Sequence, residues 1–219
     1  MPIKLPKCIP GKKPHYKLYY FDARNIAEPI RQVFTYAKVE FDDVRVTQEE
    51  WPELKERMPY GKVPVLEVDG KQLTESSAIL WYVAEKYKLT GRNEWEKAKV
   101  GELNDILKDF RSELAPWFYA KAGIRDPETE AERYESVAKP VTKKFLERFS
   151  QVLRTHQGGF YVGNKETFVD FAIADYIFTL NKMAPDLLAE RQDLLQHVER
   201  IHNLPQLKKY IESRKDTIV

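Results

Sequence analysis

A single cysteine, Cys8, occurs among the 219 residues, so an internal disulfide is excluded and the chain fits a reducing compartment. The four histidines show no metal-ligand spacing, and there is no glycine-rich phosphate loop. No segment approaches the ~20 apolar residues of a membrane span. These absences predict a cytoplasmic protein with no metal, no nucleotide cofactor and no membrane partner.

Charge of one sign is not in excess either, since 36 basic and 34 acidic residues give a formal charge of +2. Nucleic-acid-binding domains usually carry a pronounced basic bias, so this balance argues against a nucleic-acid partner. Residues 1–15 contain lysines and prolines but no apolar run, and a secretory signal is therefore not expected. We interpret them as a polar N-terminal arm.

Residues 16–91 switch repeatedly between strand and helix patterns. The patterns predict a strand at 16–21, a helix at 28–37, a strand at 41–46, a short helix at 51–57, a strand after Pro64, an Asp69-Gly70 turn into a second strand, and a helix after Ser76. The turn makes the last two strands an antiparallel hairpin. The order β-α-β-α-β-β-α predicts a thioredoxin-like α/β domain with a mixed sheet.

After a linker at 89–93, every periodic segment has helical spacing, which predicts an all-helical domain over residues 94–219. The predicted helices are one with an apolar face from Trp95 and Ala98 to Trp117, one at 127–155 that Pro140 should kink, one opening at 168, and shorter ones near 184–195 and 204–214. The predicted fold class is therefore α/β plus all-α.

The helix that opens at residue 168 is preceded by Thr167, with Asp170 three residues later, which is the pattern of a capping box. Apolar residues surround this helix, so we expect it to be buried at the centre of the domain. Asp175 within it should have a buried hydrogen-bond partner, because an unpaired carboxylate there would cost several kcal/mol.

The segment from Tyr60 to Ile79 has the features of a receptor for a short charged peptide. Val63-Pro64 directly precedes a strand, where a cis bond would leave the N–H and C=O of Val63 unpaired at a sheet edge. Glu75 and Ser76 lie at a helix N-terminus, which favours a carboxylate. An ordinary hairpin followed by a capped helix explains the same pattern equally well.

Five motifs in order give this segment a wider context. They are Tyr20-Phe21, Ala-Glu-Pro-Ile-Arg at 27–31, Trp-Pro-Glu-Leu-Lys at 51–55, Met-Pro-Tyr-Gly-Lys-Val-Pro-Val-Leu at 58–66 and Glu-Ser-Ser-Ala-Ile at 75–79. Together they resemble the cytosolic glutathione transferases, and within them the sigma class, from about Tyr16 to Thr217. The resemblance implies glutathione as co-substrate, small-molecule electrophiles as second substrates and a homodimer.

The resemblance also implies roles for individual residues. Tyr20 occupies the position of the tyrosine whose hydroxyl stabilises the glutathione thiolate, whereas Tyr16 comes too early in the strand and Tyr19 points to the other face. The residues implied in glutathione binding are Phe21, Trp51, Lys55, Lys62, Val63, Pro64, Glu75, Ser76 and, reaching the neighbouring subunit, Asp109. Many sigma enzymes have glutamine in place of Glu75, but a carboxylate there can still pair with the ammonium of glutathione.

The electrophile site is less defined. Ile26 stands where sigma enzymes that isomerise prostaglandin H2 to prostaglandin D2 often carry arginine, which puts that activity in doubt. The pocket candidates by position are Arg24, Ile26, Arg111, Pro116, Trp117, Ala172, Tyr176 and the tail at 218–219, each of which is equally explained by packing. Cys8 precedes the first strand without a basic pocket, so it is not expected to be a nucleophile.

The leading hypothesis is a glutathione transferase in which the thiolate attacks an electrophilic carbon or reduces a peroxide. One alternative is a glutathione-dependent prostaglandin D isomerase. The other is a non-catalytic glutathione-binding protein like the lens crystallins derived from this class, although those tend to lose site elements that are present here.

Overall fold

The computed structural model describes residues 13–156 and 158–217. Most of the predicted arm, Cys8, and the tail candidates Ile218 and Val219 lie outside the described residues. Four strands of the described chain form one sheet: β1 (Tyr16–Phe21), β2 (Asp42–Val46), β3 (Val65–Val68) and β4 (Lys71–Thr74). The order across the sheet is β2-β1-β3-β4, with β1 parallel to β2 and the other neighbours antiparallel.

Three helices follow the strands as predicted: α1 (Glu28–Tyr36), α2 (Trp51–Arg57) and α3 (Ser76–Lys86). Leu18 of β1, Val33 of α1 and Val83 of α3 are fully buried together in the core, because alternate strand residues and one helical stripe face each other across the layers. The predicted fold class, a thioredoxin-like unit followed by an all-helical domain, is confirmed.

The second half of the chain is helical. Its helices are α4 (Glu94–Lys121), α5 (Glu130–Arg133), α6 (Lys139–Thr155), α7 (Phe168–Met183), α8 (Gln192–His202) and α9 (Lys208–Ser213), with 3₁₀ turns at Pro127–Thr129 and Pro185–Leu188. The predicted linker is partly buried, since Leu89 and Thr90 are 4% and 1% exposed. Its Leu89 carbonyl accepts a hydrogen bond of 2.9 Å from the N–H of Phe168, which joins the two halves.

One prediction about the long helices needs correction, and the structure gives the form of the distortion expected at Pro140. The apolar face of α4 begins at Val100, because Trp95 is 75% exposed and Ala98 is also exposed. Pro140 lies in the first turn of α6, and the residues before it, Tyr134–Ala138, form a π-helical turn. Proline has no N–H to donate to the preceding turn of a helix, and a π turn accommodates this missing hydrogen bond. The chain therefore stays helical through the distortion.

The prediction of a helix at 184–195 is wrong, and that of one at 204–214 is too long. A 3₁₀ turn begins at Pro185, α8 begins only at Gln192, and α9 covers Lys208–Ser213. The register of α8 follows Leu194, Val198 and Ile201, which are buried at spacings of four and three residues.

Helix α7 is the buried centre of the helical domain, as predicted. Its capping box is present: the Thr167 side chain accepts from the backbone at Asp170, and the Asp170 carboxylate accepts from the Thr167 N–H at 2.8 Å. Asp175 has the expected partners, because Arg24 and Arg214 each approach its Oδ1 at 3.1 Å.

Arg214, from the segment after α9, also pairs with Glu28 at 2.7 Å, and the Tyr210 hydroxyl donates to the same carboxylate at 3.0 Å. Glu28 begins α1 and Asp175 lies in α7, so this buried cluster connects the sheet domain, the central helix and the C-terminal segment. Such groups are costly to bury singly, and each is therefore satisfied by the others.

Candidate active site

Tyr20 lies next to the last residue of β1, on the buried face that it shares with Tyr16 and Leu18. Its side chain is 6% exposed. Burial is the main cause that raises the Tyr20 pKa to about 12, assisted by Tyr119 and opposed by Arg111, Arg31 and a backbone hydrogen bond from Ile26. The phenol is therefore protonated at neutral pH, so it is a hydrogen-bond donor and not a base.

Arg31 packs against the ring of Tyr20. Its guanidinium carbon lies 5.9 Å from the Tyr20 ring centroid. The side chain is fully buried and is held by Asp43 at 3.0 Å, Glu28 at 3.3 Å and the Ala23 carbonyl at 2.8 Å. Because its partners come from α1 and β2, Arg31 ties the loop after β1 to both elements.

The residues that follow Tyr20 lead toward α2. Phe21 meets the ring of Trp51 edge to face, with centroids 5.1 Å apart. Trp51 and Lys55 lie one turn apart on α2, and a Cβ placed on Gly61 would lie 3.4 Å from two carbons of the Lys55 side chain. The structure therefore brings Trp51, Lys55 and the Gly61-Lys62 loop to the same side of the sheet.

The Val63–Pro64 peptide bond is cis. One part of the prediction needs correction, because Val63 does not lie on an edge strand. β3 is an inner strand, paired with both β1 and β4, and Val63 precedes Val65, the first paired residue on either side. Main-chain contact with a ligand at Val63 would therefore extend the end of β3 rather than add a strand beside it.

Glu75 and Ser76 lie where α3 begins. Glu75 is exposed and adopts φ 67° and ψ 114°, a conformation that non-glycine residues rarely take. Its side chain does not cap the helix, so the first N–H groups of α3 are accessible to another acceptor. A positive backbone angle held at a helix N-terminus is typical of sites that clamp a ligand.

A cleft with a cavity volume of about 150 Å³ lies beside these residues, between the α/β domain and the helical domain. Its lining residues are Ile26, Pro29, Glu75, Ser76, Ser77, Leu80, Asn104, Leu107, Lys108, Arg111 and Ala172. Ile26, Arg111 and Ala172 are thus brought together as expected. The α4 residues at 104, 107 and 108 were missed, although their spacing with Arg111 marks one face of a helix.

Other predicted pocket residues lie elsewhere. Arg24 is 3% exposed and bound to Asp175, and Trp117 is fully buried with its indole N–H donating to Glu130 at 3.2 Å. Tyr176 is buried beneath Arg111, while the Pro116 carbonyl accepts a bond from Arg133. Arg24 and Trp117 therefore serve the core and do not face the cleft.

Asp109 lies on an exposed position of α4 outside the cleft. Within residues 13–156 and 158–217, no cluster of histidine, cysteine or carboxylate side chains could hold a metal ion. The same part of the chain contains no helix long and apolar enough to cross a membrane.

Comparison with known proteins agrees with this architecture. The N-terminal domain of glutathione S-transferase matches residues 16–85, and the C-terminal domain of the same family matches residues 108–214. The chain belongs to the glutathione S-transferase family. It is accordingly a transferase that uses glutathione as its co-substrate.

Relatives cover nearly the whole chain. The probable glutathione S-transferase 9 of Caenorhabditis elegans is 39% identical over 92% of this chain and 98% of its own. A Nu-class glutathione S-transferase of Haemonchus contortus is 40% identical with a TM-score of 0.86, covering 94% of this chain and all of that one.

Two further solved structures bear on function and assembly. Monomeric Na-GST-3 of the hookworm Necator americanus is 37% identical with a TM-score of 0.88, over 93% of this chain and 98% of that one. Prostaglandin synthase D of Nilaparvata lugens is 32% identical with a TM-score of 0.83, over 92% and 100%.

Proposed function

We propose that Tyr20 donates its phenolic hydrogen bond to the sulfur of bound glutathione and so stabilises the thiolate. The supporting observation is the buried phenol, whose raised pKa keeps the proton on oxygen when the thiol ionises. Lowering the thiol pKa by two units takes roughly 2.7 kcal/mol, which a hydrogen bond to a charged group can approach. The thiolate then attacks an electrophilic carbon or reduces a peroxide.

The remaining glutathione contacts are proposed from the same geometry. The glycine carboxylate is bound by Trp51, Lys55 and Lys62. The main chain of the cysteinyl residue contacts Val63 and the cis Pro64. The γ-glutamyl end is held by Glu75 and Ser76. Phe21 supports Trp51 through their edge-to-face contact. Two lysines at one end and a carboxylate at the other match a peptide with carboxylates and an ammonium.

Substitution of the phenol tests this proposal. Tyr20→Phe removes only the hydroxyl, so turnover with 1-chloro-2,4-dinitrobenzene should fall roughly 10- to 100-fold, as expected for the loss of about 1.4 to 2.7 kcal/mol. Tyr19→Phe is the matched control, because Tyr19 neighbours Tyr20 on the opposite face of β1. Equal turnover in wild type and Tyr20→Phe would remove the proposed role.

Sigma-class membership remains a proposal. The chain is 40% identical to the Nu-class enzyme and 32% identical to prostaglandin synthase D, so overall similarity favours the former. Ile26 lines the cleft with an apolar side chain at the position where sigma-class prostaglandin D isomerases often carry arginine. We therefore place general conjugation ahead of prostaglandin isomerisation, and product analysis with prostaglandin H2 distinguishes them.

A cytoplasmic homodimer is proposed as the form of the protein. In this dimer Asp109, which is exposed on α4 and outside the cleft of its own subunit, would contact glutathione in the neighbouring subunit. Tyr60, beside the glutathione loop, is 86% exposed and would be covered by a second copy. Since one relative is described as monomeric, the assembly requires direct measurement.

A further inference from the structure

Arg111 brings into the wall of the cleft a guanidinium that forms no direct ion pair with any described residue. It is half-buried on α4, and its Nε atom is buried without a hydrogen-bond partner. Across the described residues, none of its nitrogen atoms makes a hydrogen bond or an ion pair. Arg31 and Arg214, by contrast, are each paired with two carboxylates. A cation taken from water without such a partner is costly, which indicates a function.

The surroundings of Arg111 keep the charge close to the reacting centre. Its guanidinium carbon lies 4.9 Å from the centroid of the Tyr176 ring, which holds it by a cation–π contact. Asp175, Tyr20 and Tyr119 are near enough to affect its charge as well, but the Asp175 carboxylate is bound directly by Arg24 and Arg214. Burial lowers the pKa of Arg111, but a guanidinium stays protonated in proteins. A fixed positive charge therefore lines the same cleft as Ile26, whose backbone forms a hydrogen bond with the phenol that is proposed to hold the sulfur.

The rest of the electrophile side of the cleft limits what this charge can meet. Ile26, Leu80, Leu107 and Ala172 supply apolar walls, and Lys108 is exposed at the rim. A suitable occupant has an apolar body and one electron-rich oxygen. Because Arg111 shares the cleft with Ile26, and the Ile26 backbone bonds to the Tyr20 hydroxyl, that oxygen belongs to the reacting group rather than to a distant tail.

We propose that Arg111 binds the carbonyl oxygen of an α,β-unsaturated ketone or aldehyde and thereby sets the preferred class of electrophile. This rests on the proposed function of Tyr20. An interaction that strengthens as negative charge develops on the oxygen accelerates the reaction, whereas one of constant strength does not.

The step balances without a further reactant. The thiol of glutathione loses its proton to water, and the thiolate forms a C–S bond to the β-carbon. The π pair of the C=C bond moves toward the carbonyl, which becomes an enolate whose oxygen carries the charge that Arg111 meets. Water returns a proton to the α-carbon, the C=O bond re-forms, and the net result is addition of the thiol across the double bond.

Two electrophiles and three variants test the assignment in the full-length enzyme. Arg111→Met keeps an apolar stem but removes the cation, so kcat/KM for trans-4-phenyl-3-buten-2-one should fall roughly 100-fold. Turnover of 4-nitrobenzyl chloride, which has no carbonyl at the reacting centre, should be nearly unchanged. Arg111→Lys should retain more enone activity than Arg111→Met. Arg148→Met, which removes an exposed guanidinium that lies over the Phe145 ring outside the cleft, should leave both substrates unaffected.

Equal losses with both electrophiles would place Arg111 on the sulfur instead and overturn the proposal, as would an enone rate that survives in Arg111→Met. The ultraviolet absorbance of bound thiolate separates this failure from failure of the Tyr20 role. We expect the same thiol pKa in Arg111→Met as in wild type. If wild type itself shows no increased ionisation, the Tyr20 proposal fails independently of the enone result.

Discussion

At the scale of single residues, the environment separates two identical side chains. Arg24 and Arg111 are both arginines next to apolar sequence, and both were pocket candidates. Arg24 is neutralised by Asp175, which lies 151 residues away, whereas Arg111 has no carboxylate partner in the described chain. Such a distinction cannot be predicted from sequence, because it depends on a contact between distant segments. The buried position of Tyr20 on β1 was predictable, because strand alternation and a local motif both involve neighbouring residues.

His197 gives a prediction at the same scale. Its side chain is 1% exposed, Nδ1 lies 3.2 Å from the Gly159 carbonyl, and Nε2 lies 3.5 Å from Asp170. Burial lowers the His197 pKa to about 4, with smaller effects from Arg200 and His202, while burial raises that of Asp170 to about 6. With a pKa of about 4 the folded imidazole is neutral at physiological pH, and the contact with the Gly159 carbonyl places its proton on Nδ1.

Between pH 6.5 and 4 the unfolded chain binds a proton at this histidine that the folded chain does not. The contribution of His197 to the free energy of unfolding should therefore be fully present above pH 6.5. It should fall by about 3 kcal/mol as the pH is lowered to 4. Asp170, whose pKa is raised by burial, has the opposite effect: protonation of its carboxyl group on acidification increases the free energy of unfolding. His197→Gln keeps a donor for Gly159, and urea unfolding at several pH values should show a shallower slope than wild type. If the free energies of unfolding of wild type and His197→Gln change with pH in parallel, the lowered pKa assigned to His197 is refuted.

At the scale of elements, apolar periodicity predicted whether most segments are helices or strands. The exposure of side chains in the structure corrected the predicted ends of these segments. The α4 pattern was extended back to Trp95, an aromatic residue that is 75% exposed, because periodicity does not distinguish a buried apolar face from its continuation into solvent. Helix α7 was placed correctly, since a capping box is a local hydrogen-bond pattern that precedes an unmistakable apolar run.

The capping box supplies the prediction for this scale. Thr167 is 4% exposed and its hydroxyl donates to the buried Asp170 carboxylate at 3.0 Å, so Thr167→Ala would remove the side-chain half of the capping box and one hydrogen bond of that carboxylate. We expect a loss of about 1–2 kcal/mol in the free energy of unfolding, measured by urea denaturation. Thr167→Ser retains the hydroxyl and should recover most of the loss. Full stability in the alanine variant would show that the cap contributes little.

At the scale of the whole molecule, contacts between remote segments build the site. The cluster of Glu28, Asp175 and Arg214 joins residues up to 186 positions apart and holds the first turn of α1 near the loop after Tyr20. No sequence pattern links these residues, although the buried partner of Asp175 was expected on the cost of an unpaired carboxylate. The cleft likewise exists only because α4 and α7 meet the first domain.

The proposed dimer is tested by sedimentation equilibrium. Wild type should show twice the chain mass of 25.8 kDa, and Tyr60→Ala should shift the population toward single chains because an exposed aromatic anchor is lost. Ile124→Ser is the control, since it removes another exposed apolar side chain far along the sequence from the glutathione loop. A single-chain mass for wild type at micromolar concentration would exclude the dimer and the role of Asp109.

The acidity of the bound sulfur is the most direct measure of the catalytic account. Ultraviolet difference titration of the enzyme–glutathione complex records the thiolate band as pH rises. The wild-type complex should ionise about two pKa units below free glutathione, and Tyr20→Phe should return the midpoint close to the free value. A wild-type midpoint equal to that of free glutathione would contradict the account.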